Sequence, residues 1–463
     1  MPTRLSPPRI RPLPYPGDGA RLLEAIAHRP WSMLLDSGGA GAGFSRGRYD
    51  LLCGEPFMTV VSRGGLTRVR HRDGSAWQSR EDPLAVVRRV LGEPQEPLEG
   101  LPFAGGAMGY LGYELGYRLE GLSPLPAEPG TLPEMALGIY DWCVVLDHRE
   151  ARAYLATRGR DPATAGIWAD LGERFARPAA PRGASPLRAR SPLVTDLEPQ
   201  DYATRFARVQ RYIREGDCYQ VNLARRLEGA TRGDPWQGYL ALRRQSPAPF
   251  GAYLNLPWGQ ILCNSPERFL HLRHGGVETC PIKGTRPRGG TAAEDAALRR
   301  ALADSPKDRA ENVMIVDLLR NDLGRNCATG SVAVPSLFQV ESYARVHHLV
   351  STVTGRLAPG RDALDLLRGC FPGGSITGAP KRRAMEIIAE LEPHRRDVYC
   401  GAIGYIGFDG AMDTNIAIRT LVHTRGRIRF WAGGGITHGS ERDAEYRETV
   451  DKAAALQGLL RPD

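Results

Sequence analysis

The chain has 463 residues, of which 42% are hydrophobic and 24% charged, and its formal net charge is +9. This length allows about two to four domains, and the composition is typical of a globular protein rather than a collagen, a coiled coil or a disordered chain. No apolar run predicts a membrane span, and no Lys/Arg run predicts a nucleic-acid partner. Eight single cysteines indicate reduced thiols, and the N-terminus lacks an apolar signal segment, so we expect a cytoplasmic protein.

The chain divides into three regions that differ in composition and in hydrophobic pattern. The N-terminal region, 1–176, is predicted to form mostly short strands, because brief apolar runs lie between Gly and Pro clusters. Examples are the segments 32–35, 57–62 and 143–147. A Pro/Ala/Arg-rich stretch at 177–195 has no periodicity and predicts a linker. The C-terminal region, 196–463, mixes helices with strands that contain glycines.

Three helices are predicted in the C-terminal region from spacing and end signals. The first spans 201–215, where apolar residues recur at helical spacing. The second spans 306–321, with Ser305 as its N-cap and a proline in the first turn. The third spans 441–460, with Ser440 as its N-cap.

The third helix carries two acidic residues that are candidates for metal binding. Glu445 and Glu448 are three residues apart, so their carboxylates are neighbours and repel each other unless a cation is close. Mg²⁺ removes this repulsion and prefers carboxylate oxygens. Glu311, at the edge of an apolar stripe on the second helix, is a third candidate. The alternative is a solvated acidic face paired with arginines, and no His/Cys cluster indicates zinc.

Two glycine-rich segments and one arginine are candidates for anion binding. The segments 371–381 and 431–439 match no nucleotide-binding pattern. They suit a carboxylate or a phosphate, although tight turns explain the glycines equally well. Arg419 alternates with apolar neighbours in a strand-like segment. It is therefore either a buried ion-pair partner or a clamp for a carboxylate.

Only four of the 61 basic residues are lysines, so each lysine is a candidate for chemistry that arginine cannot perform. Lys283 follows an apolar Pro-Ile pair and precedes a Gly-Thr turn, which predicts a partly desolvated amine able to act as a nucleophile. Glu267 is a possible general acid or base. The alternatives are a solvated turn for Lys283 and, for His348 in a strand-like run, a structural role.

Nine motifs occur in one order along the chain: SPERF, PIKGTRPRG, RAENVMIVDLLRNDLGR, HHLVSTVTG, FPGGSITGAPK, GAIGYIGF, TNIAIRT, AGGGI and EYRET. Together they resemble the chorismate-utilising enzymes, which include anthranilate, aminodeoxychorismate, isochorismate and salicylate synthases. The resemblance is dense from about residue 200 to 460, and PWSMLLDSG at 30–38 extends it. It implies an α+β fold of two antiparallel β-sheets packed face to face and flanked by helices, with the two halves of the chain intertwined.

Two positions distinguish the branches of this family. Lys283 is typical of the aminodeoxychorismate synthases, where the lysine is thought to attack the substrate ring; other branches usually carry Ala. Gln220 stands where isochorismate and salicylate synthases have a lysine that activates water. The resemblance therefore implies a transaminase-class enzyme that converts chorismate and ammonia into 4-amino-4-deoxychorismate for 4-aminobenzoate and folate biosynthesis. Anthranilate synthase component I is the alternative.

The resemblance also implies a role for individual residues. Glu311 and Glu448 are expected to bind Mg²⁺, with Glu445 alongside. Glu267 is expected to protonate the departing C4 hydroxyl of chorismate, and Lys283 to add at C2. The residues expected to hold the substrate are Arg419, Tyr399, Ser375, Gly433, Gly435, Lys452, His348 and Gln220.

Two further expectations concern partners. No GxCxGxQ nucleophile motif is present, so a separate glutamine amidotransferase subunit is expected to supply ammonia. Ser37, Pro249 and Phe250 match a region where relatives bind tryptophan, either as an inhibitor or as a structural ligand. The glycine-rich run 38–44 departs from the family pattern beside that region. Lys381 is expected to play a supporting role, and no function is predicted for Lys307.

Overall fold

A computed structural model of the chain describes residues 7–39, 44, 46–98, 100–181, 183–343 and 345–461. Within these residues the chain forms 25 strands and 11 α-helices. The strands up to the middle of the chain are β1 (Arg9–Leu13), β2 (Ser32–Asp36), β3 (Tyr49–Cys53), β4 (Met58–Arg63), β5 (Leu66–His71), β6 (Ala76–Ser79), β7 (Gly106–Leu111), β8 (Met135–Tyr140), β9 (Trp142–Asp147), β10 (Arg152–Thr157), β11 (Arg188–Ala189), β12 (Val194–Thr195) and β13 (Gln220–Arg232). Those that follow are β14 (Phe250–Leu256), β15 (Gly259–Ser265), β16 (Arg268–Arg273), β17 (Gly276–Thr279), β18 (Ile282–Pro287), β19 (Ala333–Ser342), β20 (Val346–Arg356), β21 (Gly378–Ala379), β22 (Ala402–Gly407), β23 (Met412–Ile416), β24 (Thr420–Thr424) and β25 (Arg427–Thr437).

The helices connect these strands and cover the sheets. They are α1 (Gly19–Leu23), α2 (Pro83–Leu91), α3 (Tyr113–Leu119), α4 (Pro162–Arg174), α5 (Pro199–Arg214), α6 (Pro235–Gln245), α7 (Ala292–Ala303), α8 (Pro306–Gly324), α9 (Ala363–Cys370), α10 (Lys381–Leu391) and α11 (Arg442–Leu459). A short 3₁₀-helix, Gly374–Ile376, precedes α10. No helix in the described residues is both long and apolar enough to cross a membrane.

The strands form two large antiparallel sheets, which confirms the predicted fold class. The first has the order β1-β10-β9-β3-β2-β14-β15-β24-β25-β13-β11, with β12 and β21 also paired to β13. The second has the order β18-β20-β17-β16-β23-β22-β7-β8-β4-β5-β6, with β19 paired to β20. Strands from 1–176 and from 196–463 contribute to both sheets. Two short strands from 177–195, β11 and β12, lie against β13.

Alternating residues of the first sheet supply two separate cores. Met33 and Val145 belong to a large cluster that contains residues of both sheets. Leu34 and Val144, their neighbours in sequence, belong to a second cluster that includes residues of α1, α6 and α11. Successive side chains of a strand point to opposite faces. The central strands are therefore buried on both sides, which explains their continuous apolar sequences.

The predicted helices are confirmed, with one correction at a helix end. Ser305 caps α8 by accepting a hydrogen bond from the backbone N–H of Asp308. The prediction that Ser440 caps the last helix is wrong, because the N-cap of α11 is Glu441. Ser440 instead donates a hydrogen bond to Glu445 (2.7 Å). Its hydroxyl therefore positions an acidic side chain rather than the helix end.

Candidate active site

Lys283 projects into the site from an irregular part of β18. The register between β18 and β20 shifts between Ile282 and Thr285, and Gly284 has a φ of 87°. Such a bulge redirects one side chain out of the regular alternation. The half-buried amine donates to the carbonyl of Ser375 (3.2 Å). Burial lowers the pKa of Lys283 below its ordinary value, which favours a neutral amine that can act as a nucleophile.

Glu267 is buried beside this amine, in the short connection between β15 and β16. Its carboxyl group accepts a hydrogen bond from the hydroxyl of Ser375 (2.7 Å). Burial raises the pKa of Glu267 to about 7, although the hydrogen bond from Ser375 and the charge of Lys283 act in the opposite direction. Near neutral pH this side chain can therefore hold a proton and release it, as a general acid requires.

Two helices bring the three candidate metal ligands into the same site. Glu311 lies on α8, whereas Glu445 and Glu448 lie on the first turns of α11. Burial raises the pKa of Glu311, and the nearby charge of Glu445 adds to this effect. Burial also opposes ionisation of Glu448, but Lys452 (2.6 Å away) holds its pKa below the ordinary value. Since the charges of Glu311 and Glu448 also act on the pKa of Lys283, the acidic cluster and the amine form one site.

The cluster offers oxygen ligands of the kind that Mg²⁺ prefers. One oxygen of Glu311 is buried and accepts no hydrogen bond. Among the described residues, however, the acidic side chains are not gathered into a ready-formed metal site. Lys307 lies between two of them, 3.9 Å from Glu311 and 3.4 Å from Glu445.

Arg419 is a partly buried cation without a protein partner in the described part of the chain. It lies immediately before β24 in a left-handed conformation (φ 50°). Burial lowers its pKa, and no carboxylate counteracts this effect. A guanidinium in such a place can bind an anionic ligand in bidentate fashion. The structure therefore does not support the ion-pair alternative for Arg419.

The glycine run of β25 lies along an unpaired backbone edge. β24 pairs with β25 only as far as Phe430, so no described strand covers that edge at Gly433 and Gly435. Lys452 donates to the carbonyl of Gly433 from this side (3.0 Å). A Cβ atom at Gly435 would lie only 3.0 Å from the amide carbon of Gln220, whose two amide atoms are buried without partners. Free backbone groups and an unsatisfied amide indicate space for a polar ligand.

Tyr399 and His348 are the last two of the predicted substrate contacts. Tyr399 is buried and stacks on Trp431, with ring planes 9° apart. Nδ1 of His348 forms a hydrogen bond with the hydroxyl of Thr285 (2.9 Å). Burial lowers the pKa of His348 to about 3, and the charge of Arg419 acts in the same direction. The imidazole is therefore neutral at physiological pH.

Three residues at or near the site have structural features that the sequence did not reveal. The sequence predicts no function for Lys307. Two features of the sequence could have indicated one: its position four residues before Glu311 and the scarcity of lysine. Asn222 lies two residues after Gln220 on the same face of β13 and also has a buried oxygen without a partner. Arg396 is fully buried and donates to the carbonyls of Ile376 and Asn222. No periodic pattern in the sequence predicts a buried arginine that binds backbone carbonyls.

Lys381 lies in a different environment from the other lysines. Its ammonium donates to Asp322 and to the carbonyl of Cys370, both at 2.7 Å. Both partners of the ion pair are buried. This pair joins α10 to α8, so Lys381 supports the fold behind the site rather than contacting a ligand.

A cavity of about 540 Å³ lies between the two sheets, apart from the candidate active site, and is lined by Ser37, Pro249 and Phe250, among others. Ser37 donates through both its backbone N–H and its hydroxyl to Asp50 (2.8 Å each). The family resemblance groups these three residues as a possible tryptophan site, and all three line this cavity. Residues 40–43 of the adjoining glycine-rich run lie outside the described residues.

Comparisons with known proteins show which family the chain resembles in sequence and fold. A family model described as chorismate binding enzyme matches residues 49–458. Aminodeoxychorismate synthase component 1 of Klebsiella aerogenes is 46% identical over 97% of this chain and 98% of its own length. Anthranilate synthase component 1 of Streptomyces coelicolor is 43% identical over 87% of this chain and 83% of its own. The crystal structure of anthranilate synthase component I from Streptococcus pneumoniae has a TM-score of 0.78 at 32% identity, covering 89% of this chain and 92% of its own.

Proposed function

The chain belongs to the family of chorismate-binding enzymes, and from this premise we propose that it converts chorismate and ammonia into 4-amino-4-deoxychorismate. This is the transaminase-class reaction of an aminodeoxychorismate synthase component 1, the name carried by relatives 45–46% identical to it. All eight cysteines are free and buried, which fits the proposed cytoplasmic location.

The observation that carries the proposal is the placement of Lys283 beside Glu267 and Ser375. Chorismate has a hydroxyl group at C4 that leaves only if it is protonated. Glu267 would donate that proton while the neutral amine of Lys283 bonds to C2, so that water departs and the ring double bonds shift. Ammonia would then bond to C4, and the C2–nitrogen bond to Lys283 would break. The amine is regenerated, and the enolpyruvyl group is retained.

Charge complementarity supports chorismate as the substrate. Chorismate is a dianion, and the site contains the unpaired guanidinium of Arg419 and the free backbone edge at Gly433 and Gly435. Tyr399, Lys452, Ser375 and His348 are the remaining proposed contacts. Gln220 has no group that deprotonates water, which favours ammonia over water as the nucleophile.

We propose Mg²⁺ as the cofactor, with Glu311 and Glu448 as direct ligands and Glu445 beside them. The orphaned buried oxygen of Glu311 supports this assignment. When bound, the ion would neutralise the ring carboxylate of chorismate and so fix the substrate against the acidic cluster. Glu267 and Lys283 perform the proton transfer and the bond formation themselves.

The proposed partner is a glutamine amidotransferase subunit that releases ammonia from glutamine. The proposal is supported by the absence of a glutaminase motif in the sequence and by the designation of the relatives as component 1. Free ammonium should replace this subunit at high concentration. Tryptophan is the proposed ligand of the cavity at Ser37, on the basis of Ser37, Pro249 and Phe250 at its wall.

A product assay tests the proposed reaction directly. The purified chain is incubated with chorismate, Mg²⁺ and ammonium, with and without a purified aminodeoxychorismate lyase. We expect 4-aminobenzoate only in the presence of the lyase. Anthranilate and pyruvate formed without the lyase would instead show the alternative activity, which the similarity to anthranilate synthases makes the second candidate. Glutamine alone should support no product.

A further inference from the structure

Lys307 occupies the space between two carboxylates of the acidic cluster. Its ammonium lies 3.4 Å from Glu445, across the gap between α8 and α11, and 3.9 Å from Glu311 on its own helix. These contacts are longer than a good charge-assisted hydrogen bond, which measures about 2.7–2.9 Å. About half of the Lys307 side chain is exposed (54%), so the ammonium can leave the cluster without disturbing the core.

The position of this lysine in its helix is unfavourable for helix stability alone. Lys307 is the second residue of α8, where the positive end of the helix dipole repels a cation. The chain has only four lysines among 61 basic residues. A cation in the first turn of α8 therefore needs a compensating interaction, and the carboxylates of Glu311 and Glu445 supply it.

We propose that Lys307 is a resident cation that holds the acidic cluster together without metal and is displaced by Mg²⁺. This inference rests on the proposed function, because it assumes that Glu311 and Glu448 bind the ion. The ammonium and a divalent cation cannot share the space beside Glu311, since like charges a few ångströms apart repel strongly in a partly buried site. Metal binding is thus an exchange in which one charge leaves as two charges enter.

The exchange predicts opposite effects for two substitutions at the same position. Lys307→Met removes the competing charge and keeps a good helix former, so Mg²⁺ should bind about five- to tenfold more tightly. Lys307→Arg keeps the charge and adds a planar fork suited to carboxylates, so Mg²⁺ should bind about threefold more weakly. Arg309→Met is the matched control. It removes a positive charge two residues away that lies over the ring of Phe338 (4.7 Å) rather than at the carboxylates.

Isothermal titration calorimetry of the full chain with Mg²⁺ alone, and again with chorismate present, measures these affinities without relying on turnover. The expected order of affinity is Lys307→Met, then wild type and Arg309→Met together, then Lys307→Arg. An affinity that is unchanged or weaker in Lys307→Met, while the wild type binds Mg²⁺, overturns the role of Lys307 and leaves the proposed function intact. If the wild type binds no Mg²⁺ in either condition, the metal assignment and this inference fail together.

Reductive methylation followed by peptide mass spectrometry measures the displacement itself. Mg²⁺ should raise the methylation rate at Lys307 about threefold, because the amine leaves its carboxylate partners. Lys381 serves as the internal control, since its ion pair with Asp322 has little solvent exposure and involves none of the cluster's carboxylates. Equal rates at Lys307 with and without saturating Mg²⁺ would contradict the exchange even if the affinities changed as expected.

Discussion

The candidate active site and the cavity at Ser37 are both rich in charged groups, but they pair those charges differently. In the active site, Arg419 has no carboxylate partner among the described residues, and the ion pair between Lys307 and Glu311 is long (3.9 Å). In the cavity, Arg268 contacts both Asp413 (2.9 Å) and Glu278 (2.8 Å). A buried charge without a partner costs free energy unless a ligand supplies the partner. A charged ligand would therefore stabilise the active site, whereas the cavity at Ser37 already pairs its own charges.

The largest expected effect concerns the amine of the active site. Lys283→Ala should reduce the amination rate by about 10⁴-fold, because the nucleophile is lost. Lys283→Arg should not restore it, since a guanidinium does not lose its proton. Ammonium-dependent product formation, followed by chromatography, measures both variants. A Lys283→Ala enzyme that retained a tenth of the wild-type rate would rule out the amine as an obligatory nucleophile.

Glu267→Gln should lower the amination rate by about 10³-fold, within the range typical of a general acid. The wild-type pH profile provides the matching test. Burial raises the pKa of Glu267 to about 7, so its protonated fraction falls as the pH rises through 7. This group should therefore make kcat/KM decline above pH 7, while the neutral fraction of Lys283 increases. The residual activity of Glu267→Gln should lack the decline.

Arg268→Met tests whether the cavity charges are structural. The substitution leaves Asp413 and Glu278 without their shared partner, so the free energy of unfolding should fall by about 3 kcal/mol. Urea unfolding measures the change, and Arg268→Lys, which keeps the charge, should lose less. Unchanged stability in Arg268→Met would remove the distinction between the two regions.

Arg419→Met should behave in the opposite way. Because the wild-type guanidinium is partly desolvated and no described carboxylate pairs with it, its removal should leave the free energy of unfolding unchanged or raise it. Chorismate binding should weaken by about 2 kcal/mol, or roughly thirtyfold, since charge-assisted hydrogen bonds are lost. Urea unfolding and the KM for chorismate measure the two effects on one preparation. A variant that is destabilised but binds chorismate normally would show that Arg419 is structural.

Ser37→Ala should have the smallest effect. It removes the hydroxyl donor to Asp50 but keeps the backbone N–H that also donates to this carboxylate. The free energy of unfolding should therefore fall by only about 1 kcal/mol. Thermal unfolding with and without tryptophan measures this change and, in the same experiment, whether the amino acid stabilises the wild type.

Local signals in the sequence predicted many of the helix ends and identified the candidate nucleophile. Ser305 followed by a proline predicts the start of α8 because a cap depends on neighbouring residues alone. At Ser440 the same rule predicted a cap that the structure does not have. Its hydroxyl bonds the side chain of Glu445 instead, and this choice depends on where α11 meets β25. The scarcity of lysine, together with the apolar Pro-Ile pair before it, marked Lys283 as a candidate nucleophile without any structure.

The tertiary structure alone decided which charges have partners. The sequence left Arg419 open between an ion pair and an anion clamp, and only the folded chain shows that no described carboxylate reaches it. Lys307 contacts a carboxylate 138 residues away, so no local pattern could assign it a function. The order and spacing of the motifs can be read directly from the sequence, and they indicated the family. The balance of buried charge depends on distances across the fold, and it distinguishes the candidate active site from the cavity at Ser37.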